Sequence, residues 1–153
     1  MNAKAKILIV DDEEVVRRSY LRILADMNYK VEAVWTWAQV SQVMQQDPFD
    51  VVLLDLRMPN MDGMTVLKVL KQCWPDSQVI IITGYPTIQS VKEAVTLGAY
   101  DYLTKPVGPD QVINAADSAM LHKRWALHAD EGRPAYMNEQ GRNSFEVSGN
   151  VAE

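Results

Sequence analysis

The chain arranges its apolar residues in two distinct patterns. Ile7 to Val10, Val51 to Leu54 and Val79 to Ile82 are short, unbroken aliphatic runs rich in Ile and Val. Such runs predict parallel strands buried on both faces. Lys30 to Val34 and Ala99 to Leu103 are weaker strand-like segments, one after the first run and one after the third. The other apolar residues fall at helical spacing. Val16, Tyr20, Ile23, Leu24 and Met27 stand at i, i+4, i+7, i+8 and i+11, one face of a first helix. Thr36 is placed to cap a second, with Trp37, Val40, Val43 and Met44 on one side. Met64, Leu67, Val69 and Leu70 mark a third, which Gly63 lets the chain enter through a tight turn. Ile88, Val91, Ala94 and Val95 mark a fourth, closed by Gly98. A last helix starts near Pro109 and turns Val112, Ile113, Ala116 and Met120 inward.

Strand and helix thus alternate five times, which predicts a doubly wound α/β fold: a five-stranded parallel sheet between two helical layers. In such sheets ligands sit beyond the carboxyl ends of the strands. The 153 residues suit one domain, expected over residues 4–127. From about Ala129 the apolar period is lost, and residues 128–153 are expected to form a flexible tail or linker.

Composition narrows the function. The net charge of −5 argues against direct nucleic-acid binding, which draws on Lys and Arg. No apolar run is long enough for a membrane span, and only four apolar residues separate Lys6 from Asp11, so neither a membrane role nor a signal peptide is expected. A single cysteine, Cys73, excludes an internal disulfide and fits a reducing cytoplasm.

The strand ends carry the chemistry. The first strand ends in Asp11 and Asp12, the third in Asp55 and the fourth in Thr83, and Lys105-Pro106 follows the fifth. Three carboxylates converging at one sheet edge repel unless a cation joins them. A hard divalent ion, Mg²⁺ or Mn²⁺, suits an all-oxygen site. A phosphate-like group beside the metal would be held by the Lys105 ammonium and the Thr83 hydroxyl. The nucleophile would be a carboxylate, since no Ser, Cys or His stands at a strand end, and Asp55 on the central strand is best placed.

Five motifs in order now resemble the receiver domain of two-component response regulators over roughly residues 5 to 125. They are Ile7-Leu8-Ile9-Val10-Asp11-Asp12-Glu13, Asp50-Val51-Val52-Leu53-Leu54-Asp55-Leu56-Arg57-Met58-Pro59, Met61-Asp62-Gly63, Ile82-Thr83-Gly84-Tyr85 and Leu97-Gly98-Ala99-Tyr100-Asp101-Tyr102-Leu103-Thr104-Lys105-Pro106. The Gly84-Tyr85 pair and the Tyr100 to Pro106 run look most like the NtrC class. The resemblance implies a flavodoxin-like strand order, 2-1-3-4-5. It implies that Asp55 takes a phosphoryl group from a histidine kinase or phosphotransfer protein. Asp12 would bind the metal directly, Asp11 mainly through water, and Arg57 through its backbone carbonyl. Lys105 and Thr83 would hold the phosphoryl oxygens, and Lys105-Pro106 would be a cis peptide. Thr83 and Tyr102 would act as switch residues, altering the surface of helix four, strand five and helix five for partner binding or for a homodimer formed on phosphorylation. Location in the bacterial cytoplasm, and no enzyme activity beyond the domain's own phosphorylation and dephosphorylation, follow from the same resemblance.

Plainer readings compete at several positions. Tyr102 fits a core aromatic as well as a switch. Leu121 and Trp125 extend the last helix at i, i+4 spacing, and either fold back on the domain or form a dimer or linker contact. A flavin carrier would need a Ser/Thr- and Gly-rich phosphate loop after the first strand, where this chain has four acids. Aspartate-nucleophile phosphatases need Asp-x-Asp there, and the chain has Asp11-Asp12-Glu13. A pseudo-receiver that only binds partners fits less well with an intact Asp, Thr and Lys set.

Overall fold

The computed structural model describes residues 5–131, with side chains described for 5–127. Its strands are β1 (Lys6–Val10), β2 (Lys30–Val34), β3 (Val51–Leu54), β4 (Gln78–Thr83) and β5 (Asp101–Thr104). Its helices are α1 (Glu14–Asp26), α2 (Trp37–Gln46), α3 (Gly63–Cys73), α4 (Ile88–Thr96) and α5 (Pro109–Glu131). The strands form one parallel sheet in the order β2-β1-β3-β4-β5, the doubly wound order expected. The α/β unit ends at Leu121, and from His122 the chain belongs to a second unit whose described part is helix. The tail expected over 128–153 lies outside the described residues beyond Glu131, up to which α5 continues.

The unbroken aliphatic runs follow from the two-sided sheet. Side chains alternate along a strand, so Ile7, Ile9, Val51, Leu53, Ile80 and Ile82 meet Tyr20 and Leu24 of α1 and Val112, Ala116 and Ala119 of α5. Leu8, Val10, Val52, Leu54, Val79 and Ile81 meet Val40 and Met44 of α2, Val66, Leu67 and Leu70 of α3, and Ala94 of α4. Each large aliphatic side chain so buried contributes about 1.5–3 kcal/mol of transfer free energy. The sheet edges are less apolar because β2 and β5 each have one strand neighbour.

Two local features differ from expectation. β5 begins at Asp101 rather than Ala99, because Ala99 completes the turn out of α4 and Tyr100 only then meets the sheet, its N–H donating to the Val79 carbonyl at 2.7 Å. Gly98 takes φ +97, and the Gly98 and Ala99 N–H groups donate to the Val95 and Ala94 carbonyls, the 5→2 and 6→1 bonds of a Schellman cap. Arg57–Met58 and Met61–Asp62 form a small antiparallel ribbon that no sequence period announced. Asp62 then caps α3, and Gly63 packs so tightly that a Cβ there would lie 2.5 Å from the Leu56 Cα.

Candidate functional site

The carboxyl edge of the sheet gathers the chemically distinctive residues. Asp11 follows β1 and Asp55 follows β3, and their backbone N–H groups continue the ladder onto the Val34 and Val10 carbonyls. Both are buried, at 2% and 6% exposure, while Asp12 is exposed. Carboxylate oxygens of Asp11, Asp12 and Asp55 all lie within 4.8 Å of one another. Lys105, just past β5, reaches across with its ammonium 2.9 Å from Asp11, 3.2 Å from Asp55 and 3.4 Å from Glu13. Its backbone N–H donates to the Thr83 carbonyl at 2.8 Å, and the Lys105–Pro106 peptide is cis. The Thr83 side chain is fully buried, and its hydroxyl oxygen accepts the Tyr85 N–H at 3.1 Å.

The electrostatics follow from this crowding. Burial pushes the Asp55 carboxyl above its ordinary range, partly offset by the Arg57 N–H and the Lys105 ammonium. Burial works against the charged form of Lys105, but its hydrogen bond and proximity to Asp11, with help from Asp55, hold its pKa above the usual lysine value. Beneath them burial raises the Tyr20 phenol to about 12, which keeps it neutral. Three carboxylates facing one ammonium leave an excess negative charge that a divalent cation would balance, and an all-oxygen donor set suits a hard ion. The donor chemistry therefore fits Mg²⁺ or Mn²⁺.

Arg57 forms part of the wall. Its N–H donates to the Asp55 carboxylate at 3.1 Å, and its guanidinium stacks 4.3 Å from the Tyr85 ring centroid. These two residues, with Asp12, Glu13, Asp55, Gly84 and Lys105, line a pocket of about 450 Å³. Tyr102 is half-buried against the α2–α3–α4 face, its hydroxyl 2.6 Å from Ser90 Oγ. Leu121 and Trp125 are exposed at 68% and 69%. Sequence reasoning missed the link between Ser90 and Tyr102 and the contact of Glu13 with Lys105. The acid run itself hinted at the second, but no spacing rule signals the first.

A parallel sheet in this order, with acids after its first and third strands and a lysine after its last, defines a flavodoxin-like α/β domain with an acidic cluster and a lysine at the carboxyl edge of its sheet. The chain belongs to the response regulator receiver domain family, which residues 7–117 match, and is a receiver domain of two-component signalling. It is 36% identical over 109 residues to the alginate biosynthesis transcriptional regulatory protein AlgB of Pseudomonas syringae pv. tomato, covering 71% of this chain and 24% of AlgB. Among solved structures it resembles the CheY-like receiver domain protein of Methanospirillum hungatei, with TM-score 0.77, 25% identity and coverage of 82% of this chain and 99% of that protein. It also resembles the beryllofluoride-activated NtrC4 receiver domain dimer, with TM-score 0.74, 30% identity and coverage of 77% and 98%. Likeness to the NtrC class thus holds. The chain spans about a quarter of the length of the curated relatives it matches. Among the described residues no helix is long and apolar enough to cross a membrane.

Proposed function

We propose that Asp55 is the phospho-acceptor and that the domain, over residues 4–127, is switched by its modification. An Asp55 carboxylate oxygen attacks the phosphorus of a phosphohistidine on a histidine kinase or phosphotransfer protein. The P–N bond breaks, the imidazole leaves and takes up a proton, and an acyl phosphate forms. Hydrolysis returns the carboxylate and inorganic phosphate, so the domain has no separate substrate. Lys105 moves from pairing carboxylates to pairing phosphoryl oxygens, and the Thr83 hydroxyl donates to another. Asp11, Asp12, Asp55 and the Arg57 backbone carbonyl would hold Mg²⁺ or Mn²⁺, which when bound supplies charge neutralisation for the incoming phosphoryl group.

The observation that carries this reading is the buried Asp55 at the end of the central strand, within reach of two further acids and 3.2 Å from the Lys105 ammonium. Thr83 and Tyr102 would relay the change to the surface of α4, β5 and α5, where a partner or a second copy would bind, and Leu121 and Trp125 would contribute a dimer or linker contact. A cytoplasmic location and residues 128–153 as a tail or linker complete the reading. Intact-mass spectrometry after incubation with acetyl phosphate and Mg²⁺ tests it. A gain of one phosphoryl group, lost in Asp55→Asn and with EDTA, is the expected result. A folded chain that gains nothing would overturn the acceptor role and leave a partner-binding module.

A further inference from the structure

The two arginines of α1 behave differently. Arg18 makes an exposed i, i+4 pair with Glu14 at 2.9 Å, an ordinary surface arrangement. Arg17 is half-buried and turns to the sheet edge instead. Its Nη1 donates to the Asp11 backbone carbonyl at 2.9 Å, and its guanidinium lies 4.5 Å from the centroid of the Trp35 ring. The Asp11 carbonyl belongs to the peptide unit that joins Asp11 to Asp12. Arg17 therefore grips the bond between two of the three clustered carboxylate residues.

Trp35 is itself held in place although it is 48% exposed. Gln39 Oε1 accepts the backbone N–H groups of both Trp35 and Thr36, at 2.9 and 3.1 Å, within the capping arrangement that starts α2. The guanidinium is thus bonded to a carbonyl and stacked on the ring of a residue whose backbone is tied to the start of α2. Two further contacts hold the same loop: the Asp11 N–H donates to the Val34 carbonyl at 3.2 Å, and the Glu13 N–H to the Asp11 carboxylate at 2.9 Å. Without Arg17 the peptide plane between the acids has one fewer restraint, and the Asp12 carboxylate hangs from that plane.

We infer that Arg17, stacked on Trp35, is a positioning residue that orients Asp11 and Asp12 for a divalent cation. The inference rests on the metal reading above and adds two residues to it. Charge alone argues the opposite sign: a guanidinium beside an acid cluster repels a cation, so deleting it should tighten metal binding. Positioning argues that deletion loosens it, and the experiment reads that sign.

Mg²⁺ affinity is measured by titration calorimetry on the full chain, with thermal unfolding in EDTA confirming that each variant is folded. Arg17→Gln and Trp35→Ala are each expected to weaken Mg²⁺ roughly tenfold, the lower end for residues that orient metal ligands. Trp35→Phe, which keeps a ring face for the guanidinium, is expected to stay within about twofold of wild type. Tighter or unchanged binding in Arg17→Gln overturns the inference, as does unchanged binding in Trp35→Ala, which alters no charge and serves alone should Arg17→Gln fail to fold. Asp12→Asn separates this from the metal reading. If wild type binds Mg²⁺ and Asp12→Asn does not, that reading stands whatever the Arg17 result. If wild type binds none, the metal reading fails and the inference falls with it.

Discussion

α3 and α4 lie on the same face of the sheet and are held to it by different means. α3 buries Gly63, Val66, Leu67 and Leu70, so its attachment is a continuous apolar contact. α4 buries only Ala94, while Ile88, Val91 and Val95 are 78%, 36% and 65% exposed. Its order comes from its ends. Thr87 and Ser90 form a reciprocal capping box at the start, and Gly98 closes the other end. Ser90 Oγ donates to the Thr87 carbonyl at 3.0 Å and accepts the Thr87 N–H at 3.1 Å. The same Ser90 hydroxyl lies 2.6 Å from the Tyr102 hydroxyl, which ties the start of α4 to β5. α3 is scaffold, whereas α4 is a helix that small changes at its ends can loosen.

The largest expected difference comes from the buried faces. Leu67→Ala should lower unfolding free energy by about 3 kcal/mol, within the range for leucine truncation in a packed core. Val95→Ala should change it by no more than ~0.5 kcal/mol, as for surface substitutions. Urea titrations of both variants check the pair, and equal losses would erase the distinction between the helices. A smaller effect is expected from Gly98→Ala, which forces an alanine to φ +97 and should cost about 1–2 kcal/mol. Smaller again, Thr87→Ala removes the cap and should cost about 1 kcal/mol. Both effects should appear in amide exchange as faster opening of α4, with α3 protection falling only by the global loss. Slowed or unaltered α4 exchange in both variants would show that its ends do not hold it.

The contrast between these helices also marks how far the sequence could be read. The central strands were legible because two-sided burial demands unbroken aliphatic runs, and the end of each run pointed to Asp11, Asp55 or Thr83. Lys105 followed from the same logic although β5 starts two residues later than expected, since a helix cap and a strand start leave similar local signals. The spacing of Ile88, Val91, Ala94 and Val95 predicts the helix α4, but Ile88 and Val95 turn outward. Periodicity shows that a helix has an apolar side and is silent on whether anything covers it. The ribbon after Asp55 is too short for any period. The grip of Arg17 on the Asp11 carbonyl and its stacking on Trp35 are tertiary contacts between elements, which no spacing along the chain encodes.

On the proposed function, modification of Asp55 alters the surface of α4, β5 and α5 and spares α3. Peptide-level amide hydrogen exchange, with and without acetyl phosphate and Mg²⁺, tests it most directly, with Asp55→Asn as control and intact mass reporting the modified fraction. Altered exchange is expected from Tyr85 through Thr104 and into the start of α5, with little change over Gly63–Cys73 and none in the control. Unchanged exchange in a chain whose mass carries the phosphoryl group, or a change in α3 as large as in α4, would contradict it.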